Sequence, residues 1–345
     1  MAGLGPGPHG AMILADYGAD VVTVERRGGS DPLFSGSTFF SRGKRSITAD
    51  LKTDEGRDSV LDLIERADVF IDPFRPGVCE RLGIGPDVAT ARNPRLVYAR
   101  ITGWGQTGPL AHAAGHDLTY ISIAGALYGL GRRGQKPTPP MNLLGDFAGG
   151  GMLLALGVCA ALTERASSGL GQVIDAAMVD GAALVSAPFY GSSWGPRGTN
   201  MVDTGAHFYE VYECADGGYV AVAAIEPQFY AEFMRRMALD PADWPQWDKD
   251  RWPELQDELA AIFLAQPQQH WVDLLEGSEA CVAAVVPAPE APAHPHNVAR
   301  ESFIVRNGLA QPAPAPRFSR TPATAGETTT AGANDPDLAA GALWP

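Results

Sequence analysis

The chain has 345 residues, 45% hydrophobic and 19% charged, with a formal net charge of −14. That length suits two domains better than one core, the acidic balance argues against general nucleic-acid binding, and the lack of an unbroken run of eighteen apolar residues gives no expectation of a membrane span. The four cysteines, Cys79, Cys159, Cys214 and Cys281, are scattered with no CxxC pair, the usage expected of buried thiols in a reducing cytoplasm.

The first stretch with a motif is GPGPHG, residues 5–10, which fits G-x-G-x-x-G literally, with Glu25 following after a strand. A dinucleotide fingerprint needs a strand before its glycines and amide donors in the loop. Only four residues precede Gly5, and two prolines remove donors, so nicotinamide binding is disfavoured. HGAMILADYG reads as a short helix closed by Gly18, ADVVTVE as a buried strand and RSITADL as extended chain. TDEGRDSVLDLIERA is an amphipathic helix capped by Thr53, with acids in its first turn. DVFIDPF and RLVYARITG are strands separated by a helix from near Pro86. FAGGGMLLALGVCAALTERASSG reads as a long buried helix, followed by the strand GQVIDAA and another helix. This alternation predicts an α/β large domain over residues 1–185, with a Rossmann-like, mostly parallel sheet.

Residues 186–204, rich in Gly, Ser and Pro, read as a linker. HFYEVYECADGGYVAVAAIE is a hairpin turning at Asp216, Gly217 and Gly218. With helices at PQFYAEFMRRMAL and RWPELQDELAAIFLAQ it makes a smaller α+β domain over residues 205–300. Residues 301–345 form a return segment and a Pro-, Ala- and Thr-rich tail expected to pack on the large domain.

Charge is uneven. Residues 1–136 hold 16 of the 26 Lys and Arg and 15 of the 40 acids, a balance of +1 that leaves −15 for the remainder. An anionic ligand belongs with the first half, unless the acidic half simply keeps the chain soluble. Arg26, Arg42, Lys44, Arg45, Lys52, Arg75 and Arg81 each fall at or near the end of an expected strand, where open α/β sheets bind ligands. With Ala49 and Leu51 beside them they suit a polyphosphate and an adenine ring, or else form a solvated basic surface.

AGHDLTY sets His116 beside Asp117 at the mouth of one hydrophobic run, and NLLGDFAGGGMLL sets Asp146 at the mouth of another. Each reads either as a polar helix cap or as a proton-transfer group. Glu226, followed by Pro227, reads by itself as a helix-start residue.

Taken together, GPGPHGAMILADYGADVVTVER, SITADLK, FRPGVCERLGIGP, RITGWGQTGP, AGHDLTY, GDFAGGG, GQVIDAAMVDG and YECADGGYVAVAAIEPQFY resemble the α-methylacyl-CoA racemases of the family III CoA-transferases, the CaiB/BaiF-type superfamily. The resemblance runs in order from about residue 3 to residue 321. It implies an interlocked homodimer, a cytoplasmic enzyme of lipid metabolism, and no nucleic-acid or membrane partner. The substrate would be a 2-methylacyl-CoA thioester whose CoA portion meets Arg26, Ala49, Leu51, Lys52, Arg75 and Arg81. No separate cofactor and no metal are implied, since CoA is part of the substrate.

By the same resemblance His116 and Asp146 are the two bases that exchange the proton beside the thioester across a planar enolate. Glu226 would orient His116, and Asp117 would stand beside Asp146 and raise a carboxyl pKa. Backbone amides of residues 146–149 are the candidate donors to the enolate oxygen. Two alternatives stay open: a CoA-transferase in which Asp146 attacks as a nucleophile to form an acyl anhydride, and a non-catalytic CoA-binding relative. The family's usual opening strand, similar to GLRVVEL, is not in this sequence, so unpaired backbone groups are expected in its place.

Overall fold

Local signals set the ends of the elements. In the computed structural model, which describes residues 1–26, 38–191, 194–306, 308–335 and Leu343, Pro6 opens helix α1 (Pro6–Asp16) at a position where its missing N–H costs nothing. The chain then enters strand β1 (Val21–Glu25). The Thr53 hydroxyl accepts the Gly56 N–H at 3.1 Å and caps α2 (Asp54–Arg66). Val60, Leu61, Leu63 and Ile64 form the buried face of that helix.

The chain divides into two units. The first comprises Met1–Ala126, Pro140–Ala187 and Phe303–Pro345, and the second Leu127–Pro139 and Pro188–Ser302. After β1 the first unit carries β2 (Lys44–Thr48), α2, β3 (Val69–Asp72), α3 (Val78–Arg81), α4 (Pro86–Arg92), β4 (Val97–Thr102) and α5 (Asp117–Ile123). The short helices α6 (Ala126–Gly129) and, further on, Ala187–Tyr190 mark where the chain passes between units. A wide helical segment, Leu143–Met152, runs on into α7 (Leu153–Ser168), followed by β5 (Val173–Ala177) and α8 (Met178–Val185); Ala187–Tyr190 is α9.

The strands are parallel, but they form two ladders instead of one. β1 pairs with β2, with Val21 opposite Lys44 and Glu25 opposite Thr48. β3, β4 and β5 form the other ladder, with β4 central and buried along its whole length, as a strand covered on both faces must be. Between the facing edges of β1 and β3 run Met1 and Ala2. The Met1 ammonium donates to the Ile71 carbonyl at 2.9 Å and the Ala2 N–H to the Val24 carbonyl at 2.8 Å.

Buried charges lock the ends of these ladders. Arg100 on β4 meets Asp72 at 3.4 Å and Glu80 at 2.8 Å, and Asp72 also accepts the Phe74 N–H at 3.0 Å. Arg42 makes a buried two-pronged pair with Asp16 at 2.6 and 3.1 Å and donates to the Pro312 carbonyl at 2.9 Å. The return segment starts as an antiparallel pair, Phe303–Arg306 with Leu309–Pro312. It then lies along β2: the Gly43 N–H donates to the Glu327 carbonyl at 2.8 Å, Ser46 N–H to Asn334 at 3.0 Å and Thr48 N–H to Asp335 at 2.6 Å. Residues 336–342 of the expected tail lie outside the described residues, as do 192–193 of the expected linker.

The second unit is built on an antiparallel sheet in the order β6 (Tyr209–Glu213), β7 (Tyr219–Ala223), β8 (Val282–Ala284). Asp216 pins the hairpin turn by accepting the N–H groups of Gly218 and Gln268. Helices α10 (Pro227–Arg236), α11 (Trp252–Phe263) and α12 (Gln268–Leu275) cover it with an aromatic core of Phe208, Phe233, Trp252 and Phe263. β8 and α12 were not expected from sequence. One has three residues and the other two turns, too short for periodicity to register.

One compositional expectation needs correction. Cys79 and Cys214 are buried, but Cys159 is exposed on the outer face of α7. The continuous helix Leu143–Ser168 holds an 18-residue stretch of mean hydropathy 1.7, long and apolar enough to cross a membrane by length and composition alone, as a core helix can also be. Asp146, Thr163 and Glu164 interrupt its apolar residues. Its inner side packs on α1, β4 and β5.

Burial lowers the Lys44 ammonium from 10.5 to about 7 and the Met1 amine from 8.0 to about 6. Both are depressed in the fold, so the unfolded chain binds more protons between pH 6 and 10.5 and stability rises with pH across that window. Thermal melts should therefore climb from pH 7 to pH 10, and Lys44→Met should flatten most of the climb. An unchanged slope in the variant would contradict the buried ammonium.

Candidate active site

The site is organised by Leu143–Met152, which winds as a π-helix, a form most often met at functional positions. Glycine allows it to lie backbone to backbone on α8. A Cβ on Gly181 would fall 1.8 Å from the Gly149 carbonyl oxygen, and one on Gly149 would fall 2.6 Å from the Ala182 nitrogen. On another side α1 packs against the same segment. Gly5, at the cap of α1 with φ 58°, faces Asp146: a Cβ there would lie 3.8 Å from Oδ2.

His116 is the N-cap residue of α5, with an exposed imidazole. Its N–H donates to Thr119 Oγ1 at 3.2 Å, and that hydroxyl donates back to the His116 carbonyl at 2.8 Å. The next residue, Asp117, is buried, and its Oδ1 accepts the N–H groups of Gly145 at 2.6 Å and Asp146 at 2.7 Å. Asp117 is thus the neighbour of Asp146, but through the backbone. The bond also corrects one expectation, since the Asp146 amide is engaged and is no donor to an enolate oxygen.

Asp146 is half-buried and accepts Asn142 Nδ2 at 3.1 Å. Burial raises its carboxyl above the ordinary carboxylate range. The Asn142 hydrogen bond pulls it back, the Asp117 charge adds to the rise, and His116 opposes it. Tyr120, one turn after His116, stands edge-on to Trp104 at 4.8 Å and donates to the Gly115 carbonyl. Its phenol is pushed up to about 12, by burial first and by Asp146 next, with the Arg75 charge opposing. His116, Asp117, Tyr120, Asn142, Asp146 and Arg75 therefore share one locality. Sequence reading missed Asn142 and Tyr120, although each stands four residues from a candidate base, the spacing of one helical turn.

The remaining candidates are divided. Arg26 is exposed just past β1, and Ala49, Leu51 and Lys52 follow β2. Parallel pairing puts both exits at one end of the ladder. Ala49 and Leu51 rest half-buried on the first unit's core, and Lys52 is exposed. Arg75 and Arg81 are exposed beyond β3. Arg42, Lys44 and Arg45 leave the set: Arg42 is held by Asp16, Lys44 donates to the Pro8 carbonyl at 2.8 Å, and Arg45 pairs with Asp20. They come at the start of β2, away from the exits of the strands. Glu226 belongs to the second unit, where it is exposed at the N-cap of α10 without its side chain capping the helix. His116 and Glu226 so lie in different units. Among the described residues no cluster of His, Cys, Asp and Glu has the grouping of a metal site.

The comparisons with known proteins agree on the family. The model of CoA-transferase family III matches residues 1–338. An alpha-methylacyl-CoA racemase of Mus musculus is 44% identical over 330 residues, 94% of this chain and 85% of the mouse protein, and the Homo sapiens alpha-methylacyl-CoA racemase matches with the same identity and coverage. A crystal structure of Rv3272 from M. tuberculosis superposes with a TM-score of 0.82 at 28% identity, covering 98% of this chain and 96% of the other. The chain belongs to CoA-transferase family III.

The balance at Asp146 can be tested without turnover. Asn142→Ala removes the influence that lowers the Asp146 carboxyl, so a carbon-13 titration of that carboxyl should move to higher pH. A midpoint that stays put or falls would mean Asn142 does not bond the carboxylate.

Proposed function

We propose that this member of CoA-transferase family III is an α-methylacyl-CoA racemase, epimerising 2-methylacyl-CoA thioesters by two-base proton transfer. The observation that carries the reading is the linkage at Asp117, which follows His116 in the chain and grips the backbone at Asp146. A transferase that used Asp146 as a nucleophile would need no histidine tied to it in this way. The identity to the mouse and human racemases supports the same conclusion.

In this mechanism one base removes the proton from the carbon beside the thioester. The electron pair moves into the carbonyl to give an enolate, and the other base returns a proton to the opposite face. His116 serves one stereoisomer and Asp146 the other, so each must be able to hold a proton as well as accept one. The raised carboxyl of Asp146 suits that double duty. Glu226 stands at the N-cap of α10 in the second unit, where its carboxylate is not used to cap the helix. Arg26, Lys52, Arg75 and Arg81 take the phosphates of CoA, with Ala49 and Leu51 against the adenine. CoA is part of the substrate, and no separate cofactor enters.

A homodimer completes this reading. Met152, Leu156, Cys159, Ala160 and Thr163 are all exposed, and their spacing makes one outward stripe along α7. Leu118, Ile123, Leu143 and Leu184, also in the first unit, are 45–66% exposed. Apolar surface of this extent belongs under a second copy. The acidic balance and family membership favour a cytoplasmic enzyme without a nucleic-acid partner.

One enantiomer of a 2-methylacyl-CoA incubated in deuterated water should take up deuterium at the α-carbon while losing optical purity. His116→Ala and Asp146→Ala should each slow this by about 10²–10⁴-fold and change CoA-ester binding only a few-fold. Acyl transfer to an added free acid with no α-exchange would instead establish a transferase. Separately, sedimentation should give a dimer, and Leu156→Glu should shift it toward monomer; a monomeric parent chain would reject the interface.

A further inference from the structure

Arg75 and Arg81 stand on one tight stretch of chain between β3 and α4. Within it Pro76 and Cys79 are buried, while Arg75, Glu80 and Arg81 are exposed. The Val78 N–H donates to the Arg75 carbonyl at 3.1 Å and the Arg81 N–H to the Gly77 carbonyl at 3.2 Å. Gly77 has a φ of 79°, and a Cβ built on it would fall 3.2 Å from Arg81 Nη1. The Arg81 guanidinium thus reaches back over a position two residues after Arg75, where a left-handed backbone asks for glycine. One turn carries both cations.

Helix α3 has four residues, and a lone helical turn does not hold itself in place. Its position has to come from outside, and β4 supplies it. The buried Arg100 guanidinium reaches Glu80 Oε1 from Nη2 at 2.8 Å and Asp72 Oδ2 from Nε at 3.4 Å. Asp72 accepts the Phe74 N–H through Oδ1 at 3.0 Å, and the Tyr98 hydroxyl donates to its Oδ2 at 3.3 Å. On its other side Glu80 rests against Gly85, where a Cβ would fall 2.8 Å from the Glu80 Cγ. A planar guanidinium suits two carboxylates at once. One side chain on the central strand therefore fixes both ends of the stretch from Phe74 to Glu80, the start through Asp72 and the end directly.

We propose that Arg100 and Glu80 are positioning residues for a phosphate-bearing substrate: through them β4 sets where Arg75 and Arg81 meet the phosphates of CoA. The inference rests on the reading of those two arginines as phosphate ligands. Glu80 makes it specific. A carboxylate next to Arg81 repels a phosphate, so its direct effect is to weaken CoA binding. Its bond to Arg100 works the other way, by holding the turn that offers the cations. The two effects have opposite signs, and removing the side chain tells which is larger.

The test uses the full chain with free CoA, and with 2-methylacyl-CoA and 2-methylacyl-pantetheine as substrates, the second having the same thioester and no phosphate. The Glu80 carboxylate is partly exposed, so Glu80→Ala should fold. It should raise the Kd of CoA about tenfold, the size of one lost contact, and raise KM for the CoA ester with kcat nearly unchanged. Turnover of the pantetheine ester should stay at the parent rate. Glu80→Gln, which keeps an acceptor for Arg100, should restore most of the affinity. In a chain already carrying Arg75→Ala and Arg81→Ala, Glu80→Ala should weaken CoA no further. A Kd that falls or stays put in Glu80→Ala, while Arg75→Ala or Arg81→Ala raises it, would overturn the positioning role alone. CoA binding untouched by both arginine variants would remove the phosphate reading and this inference with it. Equal losses on the two thioesters would mean a general effect on the fold, and would also overturn it.

Discussion

The carboxylate of Asp117 is the small contact on which the candidate site depends. Its Oδ1 accepts two adjacent backbone N–H groups, at Gly145 and Asp146, from a buried position where such bonds are strong. Because Asp117 is covalently next to His116, the same pair of bonds fixes how far the start of α5 stands from the start of the π-helix. Loss of the carboxylate would leave two buried donors unpaired and release both loops. The glycine contact on the far side, Gly149 against Gly181, does the complementary work by letting the π-helix sit as deep as the sheet allows. Position and electrostatics are then inseparable. The burial that holds Asp146 in place is also what raises its carboxyl.

Cations in the first half sort by which end of a strand they occupy. Those at the start of β2, with Arg42 just before it, are absorbed by structure: Arg42 and Arg45 into ion pairs and Lys44 into a buried hydrogen bond. Those past the exits of β1, β2 and β3 stay exposed. A parallel ladder carries its strands in one direction, so its exit edge gathers loops, and loops are where charge can be offered to a ligand. The separation of roles follows from topology, with no need for each arginine to be individually specialised.

How much of this was readable beforehand differs by scale. Thr53 and the turn at Asp216 announced their elements because caps and turns are local chemistry, decided by a few neighbouring atoms. The bases His116 and Asp146 were legible as a pair only through the family's motifs, since nothing in their own surroundings distinguishes a base from a cap. Asn142 and Tyr120 were missed because their roles arise from a fold that brings residue 117 against residue 145. The interval between the two parallel ladders matches the place of the family's missing opening strand, but which strands would flank it was not legible. Sequence periodicity reports which residues are buried and says nothing about which edges meet. The same holds for Arg42, whose partners lie 26 and 270 residues away.

The return segment has a consequence for biosynthesis. β2 and the loop before it bond to residues close to the other end of the chain, Asn334 to Ser46 and Asp335 to Thr48, across 288 and 287 residues. The first unit therefore cannot close its structure until residues 334 and 335 have emerged from the ribosome. At about 5–20 residues per second, β2 waits on the order of 15–60 s for its partners, while the intervening second unit, made of local hairpin and helices, can fold first. An exposed parallel ladder in that interval is the state a chaperone would meet.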